Sequence, residues 1–449
     1  MQAIILAGGF GTRLRPLTYT VPKPLLPVAN MPALQNTIER LADAKFSEVI
    51  ITTNFLADTI TDCLGELTLP IPVRCVKEES PLGTAGCIKN VIDDLDEIFL
   101  VIQGDAVADL DYAGFAAFAK SKNADVAISA MRVGDTREFG VIDADESGRI
   151  LRFQEKPRPE EAFSNLANSG FYMVKKAVFD DVPRGEPHDF SRQLFPRLMQ
   201  QGALFYAWEQ SSYWIDIGRI NNYLEGNLYR IKGRAEIAPG VEIPESATLV
   251  PPFLIAAGTK LGDGCVLGPH AIVGKDCTIG ARAHVSGSVL FHGVKLGEDV
   301  RLSDCVVASN SRLGKGASVE PMAVIGEGCD IGERVQVRAH SKVGPVMPVV
   351  AGTVVDGVIS PRMEKIEGLQ RVLESTPSFA HLSPEELRVC ALLAEFGELT
   401  ARAIAEGSGV AFSKVHSTLH GLDTQNIVLS TPDMPKRYAL AHEPAGARI

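Results

Sequence analysis

The chain has 449 residues, 45% hydrophobic and 22% charged, with a formal net charge of -11 at pH 7. That length allows about three domains and a substantial buried core. The acidic balance argues against non-specific nucleic-acid or membrane binding by the whole chain, and no apolar run reaches the ~18 residues of a spanning helix.

The first element is a short apolar strand with a glycine-rich turn, "AIILAGGFGTRLRPLT", Ala3 to Thr18. The N-terminus therefore reads as a strand, with neither the basic region nor the long apolar region of a signal peptide. Gly8, Gly9 and Gly11 run into Thr12 and Arg13, which matches neither the dinucleotide-binding G-x-G-x-x-G nor the P-loop. Glycines let the backbone approach an anionic ligand, and Arg13 offers a fork of donors suited to phosphate. The alternative is an ordinary strand-to-helix turn with a surface arginine.

Up to residue 232, apolar runs ("EVIITTN", "IFLVIQGD", "DVAISAMRV", "SGFYMV") alternate with helical patterns ("PALQNTIERLADAK", "YAGFAAFAKSK"). This alternation predicts an α/β domain with a mostly parallel sheet. Chemistry-bearing residues lie at its edges. "EESPLGTAG", Glu78 to Gly86, is a second small-residue loop, and "QGDAVADLD" puts Asp105 just after a buried strand, where ligands and metals gather. "RFQEKP" sets Glu155 beside Lys156, and "NSGFYMV" opens a strand at Asn168. "YWIDIG" surrounds Asp216 with aromatic and aliphatic neighbours, a costly place for a carboxylate that is neither paired nor metal-bound. Each also has a plain structural reading: Asp105 as a helix cap, Lys156 as a solvated lysine, Asp216 as the partner of a core arginine.

From Ile237 the aliphatic residues recur every six positions, through Ile243, Leu249 and Ile255 to Val337 and Val343, with glycine repeatedly next. Two steps, 285 to 296 and 302 to 313, are one residue short of two hexads. Such a hexad predicts a parallel β-helix whose three faces stack into coils of about eighteen residues. Cys265, Cys277 and Cys329 stand four places after a hexad's aliphatic residue, where Ala271 and Ala283 stand elsewhere, so they read as small core residues and not as metal ligands. The eight cysteines form no C-x-x-C pair, and free thiols in a reducing cytoplasm are the expectation. His270 and His340 fall at turn positions, which favours an assembly platform over an acyltransferase.

After a Gly/Pro-containing connector around 344–377, "SPEELRVCALLAEFG", "TARAIAEGSG" and "SKVHSTLHGLD" read as three helices. "NIVLST", "PDMPK" and "RYALA" read as a β-hairpin, and the whole as a winged helix-turn-helix. Used on DNA, Ser413 to His420 would face the major groove, with Lys436 and Arg437 on phosphate. From Ser383 onward, however, six Lys/Arg stand against eight Asp/Glu, so no basic footprint supports this, and a protein-contact module is the alternative.

The ordered series "LAGGFGTRLRPLT", "PKPLLPV", "PLGTAG", "GD", "EKP", "NSGFY" and "WIDIG" resembles the sugar-1-phosphate nucleotidyltransferases over essentially all of residues 1–232. With the hexads appended, the chain is similar to mannose-1-phosphate guanylyltransferases, and its C-terminal stretch resembles winged helices of archaeal sugar-responsive regulators. The resemblance implies a Rossmann-like nucleotidyltransferase domain (1–232), a left-handed β-helix (236–360) and a winged helix (377–449). It implies that Leu6, Ala7, Gly8, Gly9, Gly11 and Thr12 bind the nucleotide. Arg13 would hold the triphosphate, Lys23 would reach the reacting phosphates, and Gly83 would line the base pocket. Asp105 and Asp216 would hold Mg²⁺; Gly140, Glu155 and Asn168 would contact the sugar, and Lys156 its phosphate. The implied reaction joins a sugar 1-phosphate to a nucleoside triphosphate, with mannose 1-phosphate and GTP favoured. Glucose-1-phosphate uridylyl or thymidylyl transfer, and a sugar-phosphate-sensing DNA-binding regulator, are the alternatives. The implied partners are the two substrates, a second copy through the β-helix, and DNA or protein at the C-terminus.

Overall fold

The apolar runs of the first part of the chain pair into one nine-stranded sheet in a computed structural model that describes residues 1–360, 369–370, 373–374, 376, 378–408, 410, 412–431 and 436–441. Two units are distinguished: Met1–Phe10, Pro22–Leu25 and Pro32–Asp216 form one, and Gly11–Val21, Leu26–Met31 and Ile217–Ile449 the other.

In the first unit, Gln2–Ala7 lies between Glu48–Thr53 and Ile98–Gln103, parallel to both, and Val73–Lys77 extends the sheet beyond Glu48–Thr53. Helices Ala33–Asp43, Ala57–Glu66 and Gly83–Val91 intervene between these strands, as parallel pairing requires. Ile4, Ile5, Ile50, Ile51, Phe99, Leu100 and Val101 are fully buried, the pattern of strands covered on both faces.

The other half of the sheet departs from the expected parallel arrangement. Leu166–Lys175 runs antiparallel to Ile98–Gln103, to Val126–Arg132 and to Gly140–Ala144. Gly140–Ala144 and Ile150–Glu155 form a hairpin whose turn is tied by Asp145, which accepts from the Ser147 and Arg149 amides. A connection this short permits only antiparallel pairing. The fold is α/β, as expected, but the sheet is mixed.

In the second unit the hexads form three parallel sheets of eight, seven and six strands, from Ala235–Ile237 to Val358–Ile359. Thr248 pairs with Val266, eighteen residues on, whereas Thr278 pairs with Lys295, seventeen on. The short steps in the sequence are therefore coils one residue tighter, accommodated in a turn without breaking the ladder. Pairings Ile331–Val349 and Val337–Val355 carry the helix through what the sequence assigned to a connector from about 344. Val349 and Val355 continue the period of six, but the prolines around them obscured it.

Inside, the aliphatic column stacks on a second column of small residues that includes Cys265, Cys277, Cys305 and Cys329, all buried. All eight cysteines are free thiols, and burial pushes Cys305 up to about 12. Ile325, fully buried in this column, cannot be truncated without leaving a cavity between fixed coils. Ile325→Ala is expected to lower the unfolding free energy by about 3 kcal/mol, read from urea denaturation, and an unchanged midpoint would contradict a packed column.

Beyond the β-helix, helices Pro384–Phe396, Ala401–Ser408 and Phe412–Thr424 accompany an antiparallel sheet ordered Leu399–Thr400, Arg437–Leu440, Val428–Ser430. Val415, Leu419 and Leu422 share one buried face, as their spacing indicated. The turn expected at "PDMP", residues 432–435, lies outside the described residues, as do the side chains of Ser413 and Arg437. Among the described residues no helix is long and apolar enough to cross a membrane.

Candidate active site

Three sequence-predicted residues meet in the first unit. Asp105 precedes strand Ala106–Ala108, which pairs antiparallel with Trp214–Asp216 in the register Ala106–Asp216, Val107–Ile215 and Ala108–Trp214. This short ladder brings Asp216 beside Asp105. Lys23 lies between them, in a proline-flanked turn closed by the Leu25 amide donating to the Pro22 carbonyl at 2.8 Å. Its Nζ donates to Asp105 Oδ2 at 2.9 Å and to Asp216 Oδ1 at 3.0 Å.

The exposures are uneven. The Lys23 side chain is 9% exposed, against 38% for Asp105 and 23% for Asp216. Asp216 is thus half-buried and ion-paired, not sealed among the apolar residues of "YWIDIG". Both carboxylates thus face the one ammonium, and both keep part of their surface exposed.

A second group lies across three adjacent strands. Gly140 pairs with Glu155 in the hairpin. The register Leu166–Ile142, Ala167–Val141 carries Asn168 to the level of Gly140. Asn168 Nδ2 donates to Tyr172 Oη at 2.9 Å, and its Oδ1 accepts from the Gly170 amide at 2.9 Å. Gln103 Nε2 also donates to Tyr172 Oη, at 3.1 Å. This network links the Asn168 row to the strand that delivers Asp105. Burial raises Glu155 above the ordinary carboxylate range, while the neighbouring Lys156 and a hydrogen bond from Ser191 pull the other way. Lys156 follows directly, with φ 43 and its amide donating to the Phe139 carbonyl.

Leu6 and Ala7 end the first strand, where the Leu6 carbonyl accepts from Gly104 at 3.0 Å. Gly8 faces the carboxyl of Glu78, which accepts from the Leu82 amide at 3.0 Å and is raised chiefly by burial. Gly9 faces open space. Gly83 has φ +70, and a Cβ there would stand 2.7 Å from the His188 carbonyl oxygen, which also accepts from the Ala85 and Gly86 amides. Only glycine fits this corner. Thr84 Oγ1 donates to Asp189 Oδ2 at 3.0 Å, anchoring the same loop. Gly11, Thr12 and Arg13 belong to the second unit, where Thr12–Leu14 forms one 3-10 turn and Thr18 Oγ1 donates to the Gly11 carbonyl at 2.8 Å.

Glu78, Gln103, Tyr172 and Asp189 were not singled out from the sequence. The first three lie inside motifs that were; Asp189 caps the helical turn Phe190–Leu194 by accepting from the Ser191 and Arg192 amides, whereas its partner Thr84 is fixed only by the fold.

Residues 2–232 match the family described as nucleotidyl transferase, and residues 249–355 match the GMPPB C-terminal domain. The chain is 30% identical to mannose-1-phosphate guanylyltransferase 1 of Arabidopsis thaliana, over 78% of this chain and 96% of that one. It is 34% identical to the mannose-1-phosphate guanylyltransferase of Mycobacterium tuberculosis, over 66% and 81%. It is also 31% identical to a UTP--glucose-1-phosphate uridylyltransferase of Synechocystis, over 72% and 91%.

Proposed function

The chain belongs to the nucleotidyl transferase family, and on that premise we propose that it makes a nucleoside-diphosphate sugar and pyrophosphate, with mannose 1-phosphate and GTP as substrates. The observation that carries the reading is the convergence of Asp105 and Asp216 on one buried cation. Guanylyl transfer to mannose 1-phosphate is favoured by the match to the GMPPB C-terminal domain and by the guanylyltransferase names of two of the three relatives.

A phosphate oxygen of the sugar 1-phosphate attacks the α-phosphorus, and the bond from that phosphorus to the bridging β-phosphate oxygen breaks. The electron pair leaves with pyrophosphate. Both reactants are polyanions, so positioning and cations supply most of the rate. The attacking phosphate is already ionised and requires no general base. Lys156 sits beside the half-buried Glu155 and meets the sugar's phosphate, while Gly140 and Asn168 present the sugar-facing row. Gly83, packed on the His188 backbone, fixes the shape of the loop that lines the base pocket.

The acidic pair fits a divalent ion. Among the described residues no three His, Cys, Asp or Glu side chains are grouped to hold a metal alone. A Mg²⁺ site of one or two carboxylates completed by substrate phosphates needs only the pair. Bound there, Mg²⁺ would neutralise charge on the α-phosphate. Lys23 then acts twice. With nucleotide present, its ammonium can pass from the carboxylates to phosphate oxygen.

The C-terminal helices and sheet follow the strand and helix order of a winged helix, and we read them so. Their balance of acidic over basic residues gives DNA no electrostatic footprint.

The proposal is tested by incubating the purified protein with each nucleoside triphosphate and with mannose 1-phosphate or glucose 1-phosphate. GDP-mannose formation with stoichiometric pyrophosphate is expected. UDP-glucose as the preferred product would transfer the assignment to the uridylyl branch, and no product with any pair would overturn it.

A further inference from the structure

Helix Gly83–Val91 starts in the loop assigned to the base, and its first turn has no side-chain cap. A helix start leaves backbone amides in need of acceptors. Here the acceptor comes from a distant segment: the His188 carbonyl takes the Ala85 amide at 2.8 Å and the Gly86 amide at 3.0 Å. In return the His188 amide donates to the Leu82 carbonyl at 2.8 Å. The fit leaves no slack. A Cβ on Gly86 would stand 2.6 Å from the Glu186 carbonyl oxygen, as one on Gly83 would crowd that of His188. On its other side the loop is tied by Glu78, which accepts from the Leu82 amide.

Side chains add a second connection. Thr84 Oγ1 accepts from the Phe190 amide at 2.9 Å while donating to Asp189 Oδ2. The other oxygen of that carboxylate, Oδ1, accepts from the Ser191 and Arg192 amides at 3.0 and 3.1 Å and so fixes the turn Phe190–Leu194. The turn presents Ser191, whose hydroxyl donates to the Glu155 carboxylate. One carboxylate therefore holds the base loop on one oxygen and, through Ser191, the sugar-facing Glu155 on the other. Every group named lies in the first unit. The helix start is already satisfied by His188, so Thr84 and Asp189 supply a link between two subsites and not a missing cap.

We infer that Asp189 is a positioning residue for both substrates, setting the base loop through Thr84 and Glu155 through Ser191, and that it thereby helps select base and sugar. The inference rests on the function proposed above, which puts the base at Gly83 and the sugar at Glu155. Selection is a ratio of kcat/KM values, that is, a difference in transition-state binding. A misplacement of about 1 Å can cost about a hundredfold in rate, so one lost anchor is enough to move such a ratio.

The test compares full-length Thr84→Val, Ser191→Ala and Asp189→Ala by two kcat/KM ratios: GTP over UTP with mannose 1-phosphate, and mannose 1-phosphate over glucose 1-phosphate with GTP. Neither ratio depends on the fraction of protein that is active. Thr84→Val is expected to reduce the base ratio by about tenfold and to leave the sugar ratio within about twofold. Ser191→Ala should do the reverse, and Asp189→Ala should reduce both. Thr84→Ser, which keeps the hydroxyl, should restore the base ratio. Should Asp189→Ala fail to fold, the double variant of Thr84→Val and Ser191→Ala takes its place, with both ratios expected to fall. Ratios that stay at wild-type values, whatever the loss of activity, would leave these groups a merely structural role and overturn the inference. A wild-type protein that made no nucleotide sugar would sink the proposed reaction. Calorimetry of GTP and UTP on Thr84→Val would then still decide the link, with an affinity ratio about tenfold smaller for it and an unchanged ratio against it.

Discussion

Asp216→Asn is expected to lower kcat by about a thousandfold or more, while the unfolding free energy moves by about 1 kcal/mol or less. Asparagine matches aspartate in size, and the ladder with Ala106–Ala108 is made by backbone groups, so the local fold has no reason to change. Lys23 keeps Asp105 as its partner. What disappears is one of two anionic oxygens facing one cation, and an amide oxygen cannot replace its charge in holding a divalent ion against a phosphate. Pyrophosphate release and thermal unfolding on the same preparation separate the two effects. Turnover close to wild type would remove Asp216 from the mechanism.

Lys23→Met is expected to act in two opposite directions. Turnover should fall by about a hundredfold, because a cation that can follow charge onto the phosphates is lost. Metal binding without nucleotide should tighten, because a divalent ion no longer has to displace an ammonium held at 2.9 and 3.0 Å by the two carboxylates. The opposite signs matter: a merely misfolded site would lose metal affinity and turnover together. Metal titration by calorimetry and steady-state turnover are the two readouts.

The parts of this molecule that were legible in the sequence are those whose signal is local or repeated. The hexad announces itself because each coil repeats the demand for an aliphatic residue inside and a small one at the turn. Asp105 and Asp216 could be picked out because each closes or follows a short apolar run, and the structure brings both onto Lys23. Direction of pairing is a different matter. Leu166–Lys175 has the composition of any buried strand, and only the hairpin beside it shows why the sheet must be mixed. The end of helix Pro384–Phe396 was the least legible of all. Glu395 finds Arg15 and Tyr19 across most of the chain, and neither period nor motif connects them. From the sequence, Gly397 was a helix stop. Its closeness to Thr12 and Arg13 gives it a second reason to be glycine.

Diffraction from crystals grown with Mn²⁺ and a non-hydrolysable GTP analogue would test the proposed metal site most directly, because anomalous scattering locates the ion without reference to activity. The expected result is one anomalous peak bonded to an oxygen of Asp105, an oxygen of Asp216 and the α-phosphate, with the Lys23 ammonium moved onto phosphate oxygen. A peak held by the phosphates alone, with Lys23 still bridging both carboxylates, would contradict it.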